Sequence, residues 1–192
     1  MSNAIITISR EYGSGGRMIA QKLAEQLGIP LYDRQIISMT AQKSGLAEEY
    51  VEKSEQQGTS FLYTIATNWD GSSVATQLYL AEFDAIRELA NKGPCILLGR
   101  CANYVLEDYK NCMHVFIYAP IEEKIRRVQL EYGVKEKNLR HYIQKRDKAR
   151  AAYYEHFASH TWGKAQNYDL CINSGMGIDL AADLLESAYR RW

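Results

Sequence analysis

The residues of this chain whose types and spacing best suit chemistry are Gly13, Ser14, Gly15 and Gly16, with Arg10 just before them and Arg17 and Met18 directly after. Glycine lets the backbone turn tightly and bring its N–H groups against a ligand. A helix that starts at such a loop adds a partial positive charge at its N-terminus. The chemistry this favours is the holding of an anion, a phosphate above all. The flanking arginines serve the same end, because a guanidinium grips phosphate oxygens in pairs. The plainer alternative is a glycine-rich strand-to-helix turn that holds no ligand.

The elements that must position this loop flank it. Ile5, Ile6 and Ile8 with Thr7 form a β-branched run that predicts a strand, while Ile19, Ala20, Leu23, Ala24 and Leu27 recur at helical spacing until Gly28 and Pro30. Further strands are predicted at Leu31 and Tyr32, ending in Asp33, at Cys95 to Leu98, at Val115 to Tyr118 and at Leu170 to Ile172. Between them come helical patterns at Val74 to Asn91, stopped by Gly93-Pro94, and at Ile121 to Tyr132, opened by Pro120; Ile178 to Arg191 follows the last strand. Such alternation predicts an α/β protein with a parallel sheet covered on both faces. Ligands of such sheets sit at the carboxyl ends of the strands, so Ser9, Asp33, Gly99 and Arg100 are expected to meet the loop at one crevice. Glu55 to Ser73, with Gly58 and Gly71 among polar residues, reads as a mobile loop.

Composition narrows the function classes. With 192 residues and 46% apolar content, a single domain is expected. The 23 Lys and Arg are matched by 23 Asp and Glu, which argues against nucleic-acid partners and against a polybasic membrane surface, so any cationic site must be local. No stretch reaches the roughly 18 apolar residues of a membrane span, and no basic-then-apolar leader opens the chain, so the expected location is the cytoplasm. Cys95, Cys101, Cys112 and Cys171 show no CxxC spacing and read as reduced structural thiols. His156 and His160 have the i, i+4 spacing of paired metal ligands, yet no third ligand is evident nearby. Tyr153, Tyr154, Phe157 and Trp162 form an aromatic run that either stacks on a base or packs a lid or subunit interface. Nothing points to covalent catalysis, since neither a nucleophile elbow nor a cysteine beside a base is present.

The segments ITISREYGSGGR, YDRQII, GPCILLGRCANYVL, VFIYAPIEEKIRRV, the Arg146-Asp147 pair and YDLCINS together resemble the cytidylate-kinase-like branch of the P-loop nucleoside monophosphate kinases, over nearly the whole chain. The resemblance implies a five-stranded parallel core from about 1–34, 93–125 and 166–192, an NMP-binding insertion at about 35–92 and a lid at about 126–165. It implies ATP as donor, with Mg²⁺ carried in on the nucleotide, and transfer of the γ-phosphoryl group to a nucleoside monophosphate such as CMP or dCMP. Small-molecule nucleotides are then the partners, and a homo-oligomer is left open.

Residue by residue, the loop departs from GxxxxGK[ST]: Arg10 stands at the first glycine, Gly16 at the lysine and Arg17 at the Ser/Thr. The family's serine-containing turn after the second strand becomes Tyr32-Asp33-Arg34, and its DGRD after the third becomes Leu98-Gly99-Arg100-Cys101, which keeps the arginine and loses both acids. The resemblance thus assigns the donor phosphates to Arg10, Gly13, Ser14, Gly15, Gly16, Arg17 and Met18, the acceptor to Asp33, Arg34 and Arg100, and catalysis to Arg17, Arg127, Arg146 and Arg150; no protein residue is assigned to the metal. After the Arg146-Asp147 pair the family's aspartate and second arginine are replaced by Arg150 and Tyr153. The same losses also suit a module that binds nucleotide as a sensor or regulatory partner without transferring phosphate.

Overall fold

In the computed structural model, which describes residues 4–57 and 72–192, the β-branched run becomes β1 (Ile5–Arg10), the central strand of a five-stranded sheet. The others are β2 (Leu31–Tyr32), β3 (Ile96–Leu98), β4 (Cys112–Tyr118) and β5 (Leu170–Asn173), ordered β2-β3-β1-β4-β5 with every pairing parallel. Between and after them lie α1 (Gly16–Leu27), α2 (Arg34–Ser44), α3 (Glu48–Gln57), α4 (Ser72–Ala90), α5 (Ala102–Val105), α6 (Ile121–Leu130), α7 (Leu139–Phe157) and α8 (Ile178–Tyr189).

Strand alternation divides the core. Ile6 and Ile8 point to one face, where Ile19 and Leu23 of α1 and Leu185 and Tyr189 of α8 cover them. Ile5 and Leu97 point to the other, against Ile36 of α2, Ile86 and Leu89 of α4 and Val105 of α5. A third apolar cluster joins Ile37 and Ala41 of α2, Val51 of α3 and Leu78 of α4 to Tyr153 and Tyr154 of α7.

The parallel five-stranded architecture agrees with the sequence; its differences have local causes. β4 begins at Cys112 rather than Val115 because Ile5 and Ile6 of β1 pair with Cys112 and Met113, so a neighbour extends the strand beyond its own apolar pattern. α7 ends at Phe157 with an extended Ala158, so His156 and His160 share no helix face: one packs on Phe157 at 4.6 Å and the other on Tyr104 at 5.7 Å. Tyr153 and Tyr154 are buried, Phe157 stacks on Tyr79 at 4.3 Å, and Trp162 meets Phe116 edge-on at 5.2 Å, so this aromatic run packs within the chain. The loop expected at Glu55 to Ser73 lies outside the described residues, except for its helical ends at Glu55–Gln57 and Ser72–Ser73. Cys95, Cys101 and Cys112 are buried free thiols, while Cys171 is exposed. Burial pushes Cys95 and Cys112 up to about 12. Among the described residues no helix is long and apolar enough to cross a membrane.

The sheet also carries a pH-sensitive group. His114 of β4 places Nδ1 2.8 Å from the Thr7 hydroxyl, and burial lowers its pKa below the ordinary histidine value. A depressed pKa means that the unfolded chain binds the proton more tightly. Stability is therefore fully present above about pH 6.5 and is lost as pH falls toward the folded-state value. His114→Gln is expected to flatten the acid side of a melting-temperature profile between about pH 7 and pH 5 relative to the parent.

Candidate active site

β1 ends at Arg10 in the middle of the sheet, and the chain turns through Glu11 to Gly15 into α1. Gly13 and Gly15 adopt left-handed φ of 79° and 74°, which only glycine enters without strain. Space is equally restrictive: a Cβ on Gly13 would lie 2.8 Å from Val128 Cγ2, and one on Gly15 2.5 Å from Ile178 Cδ1. Gly15 caps α1, so the N–H groups of Gly16, Arg17 and Met18 have no acceptor within the helix and stand where an anion can meet them.

Side chains behind the loop hold its carbonyls. Arg127 Nη1 donates to Gly13 O at 2.7 Å, Arg150 Nη1 to Arg10 O at 3.1 Å, and Ser174 Oγ to Ser14 O at 2.5 Å. Asp147 Oδ1 accepts the Tyr12 N–H at 2.6 Å, and its other oxygen meets Lys124 Nζ at 2.5 Å, which also reaches Glu11 Oε2 at 3.1 Å. These bonds fix the loop's backbone from behind, and the N–H that follows the Arg10 carbonyl, that of Glu11, is itself tied to Ile117 O of β4 at 3.0 Å. Two expected phosphate groups are spent inside the loop itself: the Ser14 hydroxyl and N–H both bond to Glu11 O, at 2.9 and 3.3 Å. Ser174→Ala removes one buried carbonyl's partner and is expected to cost about 1–3 kcal/mol, read as a melting-temperature drop in thermal denaturation.

In front of the loop, at the carboxyl ends of the strands, lies a cleft of about 540 Å³. Six arginines line it (Arg10, Arg17, Arg34, Arg100, Arg146 and Arg150) against the acids Glu11, Asp33 and Glu52, so a chain of zero formal net charge carries a locally cationic cavity. Gly13, Gly16 and Met18 line it too. Arg17 is 58% exposed and pairs with Asp33 at 2.9 Å; Arg34 opens α2 beside that pair and is exposed. On the α7 side Arg146 stands 5.1 Å from the Tyr142 ring centroid and 5.8 Å from that of Tyr12, with Arg150 5.5 Å from the latter. Burial and the neighbouring Tyr142 push Tyr12 up to about 12, so it serves as a neutral stacking face for both cations.

Arg100 follows Gly99, and the two share left-handed φ values of 58° and 77° with Cys101 at 55°. Consecutive left-handed turns at non-glycine residues store strain that the surroundings must hold. What holds them is a buried knot. Arg100 Nη1 donates to Val51 O at 2.8 Å and to Glu82 Oε1 at 3.1 Å, and Glu82 Oε2 accepts the Tyr153 hydroxyl. Burial first, then the Glu82 carboxylate, raises the Tyr153 phenol well above its ordinary range.

Arg10, Arg17, Arg34, Asp33, Arg100, Arg146 and Arg150 are thus brought to one cleft, whereas Arg127 is not: it is buried behind the loop, where its charge steadies Gly13 O. Glu11, Glu82, Lys124 and Ser174 are given no role from sequence, and Asp147 enters there only as the neighbour of Arg146. The signals were present. Glu82 stands at an apolar-face position between Leu78 and Ala85, and Lys124 at one between Ile121 and Val128.

The residues do not fit a protein-held Mg²⁺. Arg17 stands where a hydroxyl would bind it, and Leu98, where a carboxylate would stand, is 1% exposed in the apolar core. Asp33 is paired to Arg17 and Glu11 to Lys124. Among the described residues no group of three His, Cys, Asp or Glu could hold a metal ion.

The sequence profile described as the cytidylate kinase-like family matches residues 5–176. Among solved structures, an uncharacterized protein from Eubacterium ventriosum is 30% identical, covering 98% of this chain and 99% of that one, with a TM-score of 0.72. Shikimate kinase from Bacteroides thetaiotaomicron shares the fold at 15% identity and a TM-score of 0.58, over 97% and 98% of the two chains. Deoxyadenosine kinase from M. mycoides does so at 12% and 0.55, over 97% and 99%. No curated protein matches the chain.

Proposed function

The chain belongs to the cytidylate kinase-like family, and from that premise we propose that it transfers the γ-phosphoryl group of ATP to a nucleoside monophosphate, CMP or dCMP by resemblance. The observation that carries this reading is the arginine-lined cleft in front of the glycine loop, at the carboxyl ends of the parallel strands.

In this reading the N–H groups of Gly16, Arg17 and Met18 hold the donor's phosphates, and Arg34 and Arg100 hold the acceptor's. An acceptor phosphate oxygen, already largely anionic at neutral pH, attacks the γ-phosphorus; the bond from that phosphorus to the β–γ bridging oxygen breaks, and ADP departs with the electron pair. No covalent enzyme intermediate and no general base are needed. The protein supplies alignment and positive charge around the equatorial oxygens, to which Arg146 and Arg150 contribute from α7. Residues about 35–92 then shape the acceptor's end and about 126–165 the donor's cover. Among the described residues none is placed to ligate Mg²⁺, so the ion would arrive chelated to ATP, and exchange of Mg²⁺ for EDTA is expected to change ATP affinity by less than about threefold in titration calorimetry.

The test is a chromatographic assay of ADP and nucleoside diphosphate formation with ATP, Mg²⁺ and CMP, dCMP, UMP, AMP, GMP and dTMP in parallel. Product with CMP or dCMP supports the reading, and product only with another acceptor corrects the substrate. ATP binding without any product selects the second reading, a nucleotide-binding module, which the buried Leu98 at the acid's position favours.

A further inference from the structure

Gly16 stands at the position of the phosphate lysine, yet the structure leaves no room for a side chain there. A Cβ on Gly16 would lie 2.7 Å from Arg10 Cβ and 3.0 Å from Arg10 Cγ. These atoms are next to the β1 backbone and cannot step aside cheaply. The stem of Arg10 therefore occupies the corridor that a lysine at position 16 would enter. The rest of the side chain continues across the crevice: a Cβ on Gly99 would fall 2.0 Å from Arg10 Nη1 and 2.9 Å from its Cζ. Gly99 leaves the guanidinium its place. Arg10 lines the large cleft and also the small cavity behind it formed with Gly99, Arg100 and Arg150. Its backbone carbonyl is fixed by Arg150 at 3.1 Å. Arg17, the cation next in sequence to the loop, instead turns outward, 58% exposed and paired to Asp33.

We propose that Arg10 is the catalytic cation of this site, taking over the lysine's work from the end of β1: its stem lies on the glycine loop and its guanidinium bridges from the donor's terminal phosphate to the acceptor held at the end of β3. Gly16 and Gly99 are the two vacancies that this replacement requires. An arginine at that seam supplies a bidentate fork, which can touch the transferring phosphoryl group and the attacking phosphate together, where a lysine offers a point charge. The inference rests on the phosphoryl-transfer reading for its chemistry, but the steric exchange between positions 10 and 16 stands on geometry alone.

That exchange gives the test. Full-length parent, Arg10→Ala, Gly16→Lys, Arg10→Ala/Gly16→Lys and Arg17→Ala are compared for ATP affinity by calorimetry and for kcat and KM with the acceptor found above, each after a melting curve. Arg10→Ala is expected to lose at least about tenfold in ATP affinity and about 10³-fold in kcat, the scale of a lost transition-state arginine. Arg17→Ala, which removes an exposed cation already paired to Asp33, should lose less than Arg10→Ala in both. Gly16→Lys alone should bind ATP worse than the parent, and the double variant should recover most of the affinity that Arg10→Ala loses, because its lysine has an empty corridor. Arg10→Ala with unchanged affinity and kcat overturns the proposal, as does a double variant that binds no better than Arg10→Ala while remaining folded. Should the parent bind ATP and transfer nothing, the transfer reading fails by itself, and the affinities alone then decide whether Arg10 stands in for the lysine.

Discussion

Glu82→Gln is expected to destabilise the fold by about 3–5 kcal/mol, a fall of roughly 6–20 °C in melting temperature for a chain of this size. Glu82 is 1% exposed and Arg100 4%, so the substitution leaves a guanidinium buried without its countercharge. The amide keeps the shape of the carboxylate and loses its charge, which isolates the electrostatic effect from cavity formation. Tyr153→Phe should cost less, about 1.5–3 kcal/mol, since it removes one hydrogen bond to a charged acceptor and leaves the ion pair. Glu82→Leu/Arg100→Met should recover much of the loss, because well-packed apolar residues often replace a buried pair without penalty. Chemical denaturation of the four proteins checks the order. Equal stability of Glu82→Gln and the parent would mean that Arg100 finds its countercharge elsewhere.

The knot also shows why part of the site was legible in sequence and part was not. Local patterns revealed the strand–loop–helix unit at Arg10 to Arg17 because its signals are local: β-branched residues, then glycines, then helical spacing. The convergence of Asp33, Gly99 and Arg100 followed from a general rule of parallel sheets. What the cations do there did not follow. Arg127 and Arg146 lie in neighbouring helical segments of similar charge pattern, yet one is buried behind the loop and the other stacks on Tyr12 in the cleft. That distinction depends on how α6 and α7 pack against residues more than a hundred positions away, which spacing within a helix does not encode. The same holds for Arg10 and Arg17. Sequence adjacency favoured Arg17 as the loop's cation, whereas the side-chain path across Gly16 and Gly99 favours Arg10.

Lys124→Met should affect both stability and ligand binding, and the two readouts separate its roles. The ammonium is buried between Glu11 of the glycine loop and Asp147 of α7, at 3.1 and 2.5 Å. Removing it leaves two partly buried carboxylates facing one another without a cation, for an expected loss of about 2–4 kcal/mol, somewhat below that of a fully buried pair because both acids keep some solvent. The consequence reaches the cleft through the backbone. Asp147 also holds the Tyr12 N–H, and Glu11 Oε2 holds the Ala119 N–H at 3.2 Å, so the carboxylates repelling each other pull the loop from β4 and α7 at once. A misplacement of about 1 Å in a positioning element can cost a hundredfold in rate, and ATP affinity should fall roughly tenfold or more. Asp147→Asn keeps an acceptor for Tyr12 and removes one charge; combined with Lys124→Met it should be less damaging than the two single losses added together, by about 0.5–3 kcal/mol of coupling. If Lys124→Met lowers the melting temperature and leaves ATP affinity intact, the ion pairs only fasten α7 to the core. If affinity falls as well, the charges behind the loop also hold its position in the cleft.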